Sequence, residues 1–225
     1  LPVETQVRDG RCGAQVLATI EKWEAKREWT QAPPSVEGAR IYRTPTKKVG
    51  VWLELMLFQD GSVDANRVSA EATLHADWSS ENCIPKIAVT PHKYDKKRMA
   101  KAFTDGDLEK AIEKNKAGLI YAWSPHMPLS VKGYEIARKA AEKAKVAFIP
   151  VVDPHAEARN IASESKRAKL GPNSSRAIES LDLMFRGMMM HFPSALVFSN
   201  GRITSKLLPG LEAGEGYEIF IKENL

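Results

Sequence analysis

Two clusters in the chain carry side chains able to do chemistry. "SPHM", Ser124 to Met127, places a hydroxyl, an imidazole and a thioether within four residues. "GMMMHFP", Gly187 to Pro193, places Met188, Met189, Met190 and His191 directly before a proline. Thioethers and imidazoles together suit a soft metal such as Cu(I). Three consecutive methionines cannot all face one point, so packing is the competing expectation for Met184, Met188 and Met189, since Met fills irregular gaps in cores. Ser124 with His126 does not read as a nucleophile and base. The two lie two residues apart, no G-x-S-x-G elbow surrounds the serine, and no acidic orienter is identifiable. Asp153 and His155 in "VVDPHAEA" follow an apolar run, a position where α/β sheets bind ligands, but Asp-Pro-His reads more simply as a helix cap and a surface histidine. His75 and His92 have no ligand spacing with any partner, and no zinc, P-loop or dinucleotide motif is present.

The cysteines form a third pair of interest. Cys12 and Cys83 are the only two in 225 residues, so one pairing is possible. It would close a loop of about 70 residues and stabilise by roughly 4 kcal/mol in the chain-entropy model. Two unrelated reduced thiols are the alternative. The chain begins at Leu1 rather than Met, as after removal of a signal peptide or truncation. With that, a disulfide and an oxidising compartment, periplasmic or extracellular, are the expectation.

Several classes of function drop out on composition. No run approaches 18 apolar residues, so no membrane span is expected. The net charge of +5, from 33 basic and 28 acidic residues, is mild. Its densest patch, His92 to Lys101, lacks interleaved aromatics and a recognition motif and reads as a solvated linker or helix start; no nucleic-acid partner is expected. An apolar fraction of 43 % supports a real core and argues against disorder.

The elements that must position these residues divide at "KIAVTPHKYDKKRMAKAF". Residues 1–95 read as a small β-rich or α+β unit. A helix is expected over 13–29 from Val16, Leu17, Ile20 and Trp23, followed by a break at Pro33, Pro34 and Gly38. Strands are expected in "ARIYRT", "VGVWLELMLF" and "VSAEATLHADW", with an Asp-Gly turn in "QDGS" between the second and third. In "VWLELMLF" both alternating faces are mostly apolar, so that strand is expected to be covered on both sides. The proposed disulfide would clip this unit near its two ends.

Residues 96–225 alternate helices and strands. Thr104 or Asp105 caps a helix holding Leu108, Ala111 and Ile112. "LIYAW" is a strand, "SVKGYEIARKAAEKAK" a helix, "VAFIPVV" a strand, and "HAEARNIASESKRAKL" and "SSRAIESLDLMFRGM" helices. "PSALVFSNGRI" is a hairpin turned at Asn200-Gly201, and the chain closes on an amphipathic helix. This order implies an α/β sheet with helices on both faces.

In that order, two segments carry a resemblance. "LIYAWSPHMPLS" lies where thioredoxin-like proteins have a strand, a Trp and a Cys-x-x-Cys opening a helix. "HFPSALVFSNGRI" is similar to the segment with that family's cis-proline and edge hairpin. About residues 102 to 225 thus resemble the extracytoplasmic branch of the thioredoxin-like superfamily. The resemblance maps the two redox cysteines onto Ser124 and Met127 and implies that Pro193 is cis, with its loop against the 124–127 turn. Ser124 would be the N-cap of the helix and Pro125 its first residue. Disulfide exchange needs an attacking thiolate and a resolving thiol. A hydroxyl and a thioether supply neither, which excludes dithiol chemistry at that turn.

In relatives this surface binds extended peptides. The resemblance therefore implies a protein- or peptide-binding face at Trp123, Ser124, Pro125, Phe192 and Pro193, with no cofactor, no catalytic residue and an exposed apolar patch around Trp123 and Phe192. The alternative is a copper-binding or copper-delivery protein using His126, Met127, Met190 and His191, because Sco-type copper chaperones of this fold hold metal at the same place. Those proteins use two cysteines and a histidine, and no thiolate stands here.

Overall fold

A computed structural model describes residues 2–34, 38–93, 95–171 and 173–225. The chain divides into two compact units, Leu1–Tyr94 and Asp95–Leu225.

In the first unit, α1 (Val3–Asp9) and α2 (Gly13–Lys22) precede six strands: β1 (Thr30–Ala32), β2 (Arg40–Pro45), β3 (Trp52–Leu57), β4 (Val63–Val68), β5 (Ala72–Asp77) and β6 (Lys86–Pro91). They form one antiparallel meander in sequence order. Alternation in β3 sends Leu53, Leu55 and Leu57 to one face, where they join Val63, Ala65, Ala76 and Trp78 beneath Val7, Val16 and Ile20 of the helices. On the other face Trp52 is buried while Glu54 and Met56 are half-buried. Cys12 and Cys83 are joined, with Cα atoms 5.4 Å apart and a sequence separation of 71.

Three expectations change here. The helix over 13–29 stops at Lys22, and α1 precedes it. "VSAEATLHADW" is the end of β4, a turn at Ser69 closed on Ala72, and β5, rather than one strand. "KIAVTP", read as a boundary, is β6. The break expected from Pro33 to Gly38 falls in part on 35–37, outside the described residues, as does the reading placed on Leu1.

The second unit runs α3 (Lys96–Lys101), β7 (Phe103–Thr104), α4 (Asp105–Lys114), β8 (Ala117–Trp123), α5 (Pro128–Lys143), β9 (Ala147–Val152), α6 (Ala158–Arg167), β10 (Ile178–Glu179), α7 (Leu181–Phe185), β11 (Ser194–Ser199), β12 (Arg202–Ile203), β13 (Leu208–Pro209) and α8 (Gly214–Glu223). The main sheet has the order β12-β11-β8-β9, with β13 on the start of β11. β8 and β9 are parallel, and β11 runs antiparallel to β8. Strand, helix, strand, helix, hairpin and helix in this order and pairing make a thioredoxin-like α/β fold.

Nearly every residue of β8 and all of β11 are buried. Leu119, Tyr121, Ala195 and Val197 meet Tyr134, Ala137 and Ala141 of α5 and Tyr217 and Ile221 of α8. Gly118 lies against Phe198, and a Cβ there would stand 2.3 Å from its ring. The hairpin turns at Asn200 and Gly201, both with positive φ. The helix expected over 174–188 is instead β10, which pairs in parallel with β7, followed by the five-residue α7.

Candidate functional site

The site is built where β8 ends. The helix expected to be capped by Ser124 opens three residues later: α5 begins at Pro128 with Met127 at its N-cap. Two prolines compete for the first helical position, and Pro128 takes it. Ser124 to Met127 form a turn instead, closed by Met127 N–H donating to the Ser124 carbonyl at 3.1 Å. Ser124 caps no helix. Its hydroxyl donates to Asp153 Oδ2 at 2.9 Å, and the His126 N–H reaches that hydroxyl at 3.4 Å.

Ser130 fixes the turn to the helix. Its hydroxyl oxygen accepts the Ser124 N–H at 2.9 Å. Its single proton lies between the Met127 carbonyl at 2.7 Å and the Ser124 carbonyl at 2.8 Å. Ser130 is fully buried, and the Tyr121 hydroxyl donates to its carbonyl at 2.7 Å. The residues at the helix opening with the i, i+3 spacing are therefore Met127, exposed, and Ser130, buried. Neither this pair nor Ser124 and Met127, the pair to which the resemblance assigns the redox positions, holds a thiol.

Asp153 follows β9 and holds the turn from below. Besides Ser124 it accepts the His155 N–H at 2.9 Å, and His155 Nδ1 lies 3.3 Å from Oδ1. It is the acidic partner of Ser124 that sequence reading found absent. The carboxylate sits between serine and histidine, so the hydroxyl faces a weak base and no imidazole activates it. His155 itself is exposed.

The loop before β11 closes the opposite side. The Phe192–Pro193 peptide is cis. Pro193 is buried, Phe192 half-buried, His191 and Met190 exposed. Gly210 N–H donates to the Pro193 carbonyl at 2.8 Å, tying the loop to β13. Among the described residues, neither the N–H nor the carbonyl of Phe192 enters a backbone hydrogen bond.

Between turn and loop lies an open depression of about 490 Å³, lined by Ser124, His126, Met127, Asp153, Met190, His191, Phe192, Pro193, Pro209 and Gly210. His126, Met127, Met190 and His191 thus share one depression. Met127, Leu129 and Met190 expose 48, 59 and 76 % of their surface. Among the described residues, no three His, Cys, Asp or Glu side chains gather as a metal would require.

Trp123 is not part of this surface. It is fully buried, with its indole N–H donating to the Ser174 carbonyl at 2.8 Å. The exposed apolar side chains on the lining are Met127 and Met190 instead. Pro125 is half-buried at the turn and absent from the lining. Met188 packs in the core as expected, whereas Met184 is 40 % exposed. Sequence reading missed Asp153, Pro209 and Gly210 in the lining and Ser130 beneath it. Asp153, directly after a strand of the sheet, carried the only local signal.

No helix among the described residues is long and apolar enough to cross a membrane. No family model and no curated protein matches the chain. Among solved structures it is similar to DsbF of Mycobacterium tuberculosis in mixed oxidized and reduced forms, at TM-score 0.41 and 10 % identity, covering 49 % of this chain and 81 % of that one. A thioredoxin-family thiol:disulfide interchange protein from Chlorobium tepidum TLS gives 0.40 and 11 %, covering 48 and 79 %. A secreted Mycobacterium tuberculosis disulfide oxidoreductase homologous to E. coli DsbE gives 0.37 and 11 %, covering 48 and 81 %. The fold of the second unit rests on its own strand order and pairing.

Proposed function

We propose that this chain is a redox-inactive, extracytoplasmic thioredoxin-like protein that docks an extended segment of a protein partner in the depression between the helix opening and the Pro193 loop. The observation that carries the reading is the pairing of an exposed apolar rim with unengaged backbone. Met127 and Met190 offer flexible apolar contacts, and the Phe192 peptide offers a donor and an acceptor beside them. An extended peptide with apolar side chains satisfies both. The thiol-free opening removes covalent exchange from the encounter, leaving recognition.

A second reading takes the same depression as a Cu(I) site, favoured by the convergence of His126, Met127, Met190 and His191 on its lining.

One titration separates the two. Isotope-labelled protein is titrated with a pool of extended apolar heptapeptides, and in parallel with Cu(I) against a coloured chelator. The peptide reading expects amide shifts confined to 124–130, 190–193 and 210, lost in Met127→Asp with Met190→Asp, and no copper withdrawn from the chelator. Stoichiometric copper capture, abolished in His191→Ala with Met127→Ala, would replace it with the metal reading. Peptide shifts spread elsewhere would remove the site altogether.

A further inference from the structure

β6 is the outer strand of the first unit's sheet, and all six of its residues are exposed. The register sets Leu74 opposite Val89 and Ala76 opposite Ile87. Ile87 and Val89 therefore stand on the face that carries the core, beside the fully buried Ala76. Yet Ile87 is 51 % and Val89 61 % exposed. The apolar face runs out to the edge and stops there uncovered.

The backbone at this edge is equally unfinished. The Ser69 N–H donates to the Ala72 carbonyl at 3.0 Å, so even-numbered residues of β5 bond toward β4. The His92 N–H donates to the Glu71 carbonyl at 2.8 Å, so odd residues of β5 meet even residues of β6. The N–H and C=O groups of Ile87 and Val89 consequently point away from the sheet. Pro85 and Pro91 flank them at the same phase and offer no N–H. The edge presents two donors, bounded by prolines.

We propose that this edge pairs antiparallel with the same edge of a second copy, about a two-fold axis through Ala88. In that register Ile87 faces Val89 of the second copy and each returns a hydrogen bond to the other, so all four outward donors are used reciprocally. The prolines fall opposite one another at the ends of the ladder, where neither can donate and their outward carbonyls are left to water. Lys86 faces Thr90, so no like charges oppose across the strands. A shift of two residues either way sets Ile87 or Val89 against a proline that returns nothing, and in one direction sets Lys86 against His92. Flanking prolines and a lysine usually protect an edge from indiscriminate pairing. Here they leave one self-complementary register open, and the apolar stripe of each copy completes that of the other. This inference is independent of the peptide-binding reading.

The test uses the full chain. Sedimentation from about 1 to about 500 µM is expected to move the mass from 25.0 kDa toward twice that value, as a small interface gives a weak dimer. Ile87→Pro deletes an outward donor and no β5 ladder bond, and is expected to stay monomeric throughout. Ala88→Cys keeps every backbone group and carries the test if the proline variant fails to fold. As a pair without mutual hydrogen bonds, the two residues at 88 lie about 4.5 Å apart at Cα, within disulfide reach. A covalent dimer is expected from Ala88→Cys, with peptide mapping placing the cross-link at position 88 of both copies, and none from Ile84→Cys. A chain that is monomeric throughout, with no cross-link at 88, overturns the proposal. So does a monomer whose Ile87 and Val89 amides gain exchange protection only with an extended peptide, which would give the edge to a peptide.

Discussion

At the scale of single residues, the site turns on which side chains stand at the start of α5. Met127 is exposed at the N-cap, where unsatisfied N–H groups and the helix dipole favour negative charge. Ser130 is buried one turn in, fastened to the 124–127 turn. A cysteine at 127 is therefore expected to ionise below the ordinary thiol value of about 8.5, with one at 130 placed to resolve. The double variant Met127→Cys, Ser130→Cys should gain disulfide reductase activity on insulin over the parent, which is expected to show none. The comparison variant Ser124→Cys, Met127→Cys should be slower, because position 124 faces the Asp153 carboxylate, which disfavours a thiolate. The reverse ranking would place the functional opening at Ser124 after all.

At the scale of elements, α4 shows how local and distant signals combine. Thr104 and Asp107 make a reciprocal capping box, legible from sequence through Thr104, while Arg176 arrives from 69 residues away to bond the same carboxylate at 2.7 Å. Burial alone would raise Asp107, but the Thr104 N–H and hydroxyl and Arg176 outweigh it and hold it below its ordinary 3.8. A carboxylate depressed on folding stabilises above its unfolded value and loses that contribution as pH falls through its folded value. Asp107→Asn should cost about 1 kcal/mol near neutrality and flatten the acid limb of the second unit's stability curve. Urea midpoints from pH 2 to 7 check this; an unchanged acid limb would count against it. Neighbouring Asp105 works the other way. Burial raises it despite bonds from Ser180, Asp182 and Leu181, so its contribution is full below its unfolded value and is lost as pH rises through its folded one.

The same contrast marks what sequence revealed. Strands β8, β9 and β11, helices α4, α5, α6 and α8, and the Asn200-Gly201 turn follow from periodicity and turn chemistry, whereas the place of the Pro193 loop came only from the resemblance. The start of α5 does not. Ser124-Pro125 satisfies the capping rules as well as Met127-Pro128, and Ser124 is drawn away by Asp153, 29 residues distant. β10 was hidden because two residues pair with Phe103 and Thr104 far upstream, and β4 because Val63 and Ala65 are weak apolar markers. β6 is exposed on both faces and so lacks the alternation that reveals a strand, though Ile87, Val89 and Thr90 carried a β-branched signal.

At the scale of the whole molecule, the two units depend on different kinds of closure. The first spans one continuous stretch whose ends are tied by Cys12–Cys83. Reducing that bond, or replacing both cysteines by serine, should lower this unit's stability by about 4 kcal/mol in the chain-entropy model. Hydrogen exchange at β3 amides should accelerate accordingly, while those of β8 stay unchanged. Equal acceleration in both strands would mean that the units do not melt separately.

The second unit closes by pairing Ala117 with Ser199 and Ala122 with Ser194, so its central strand waits for a neighbour encoded 72 to 82 residues later. On a ribosome this imposes an order of events. The meander of the first unit, built from consecutive hairpins, has all its partners once Pro91 has emerged. β8, α5 and β9 follow as an open half-sheet whose inner edge is apolar and unpaired. Only when β11 leaves the exit tunnel can that edge be filled. Synthesis between Trp123 and Ser194 is thus the interval in which the growing chain most needs shielding.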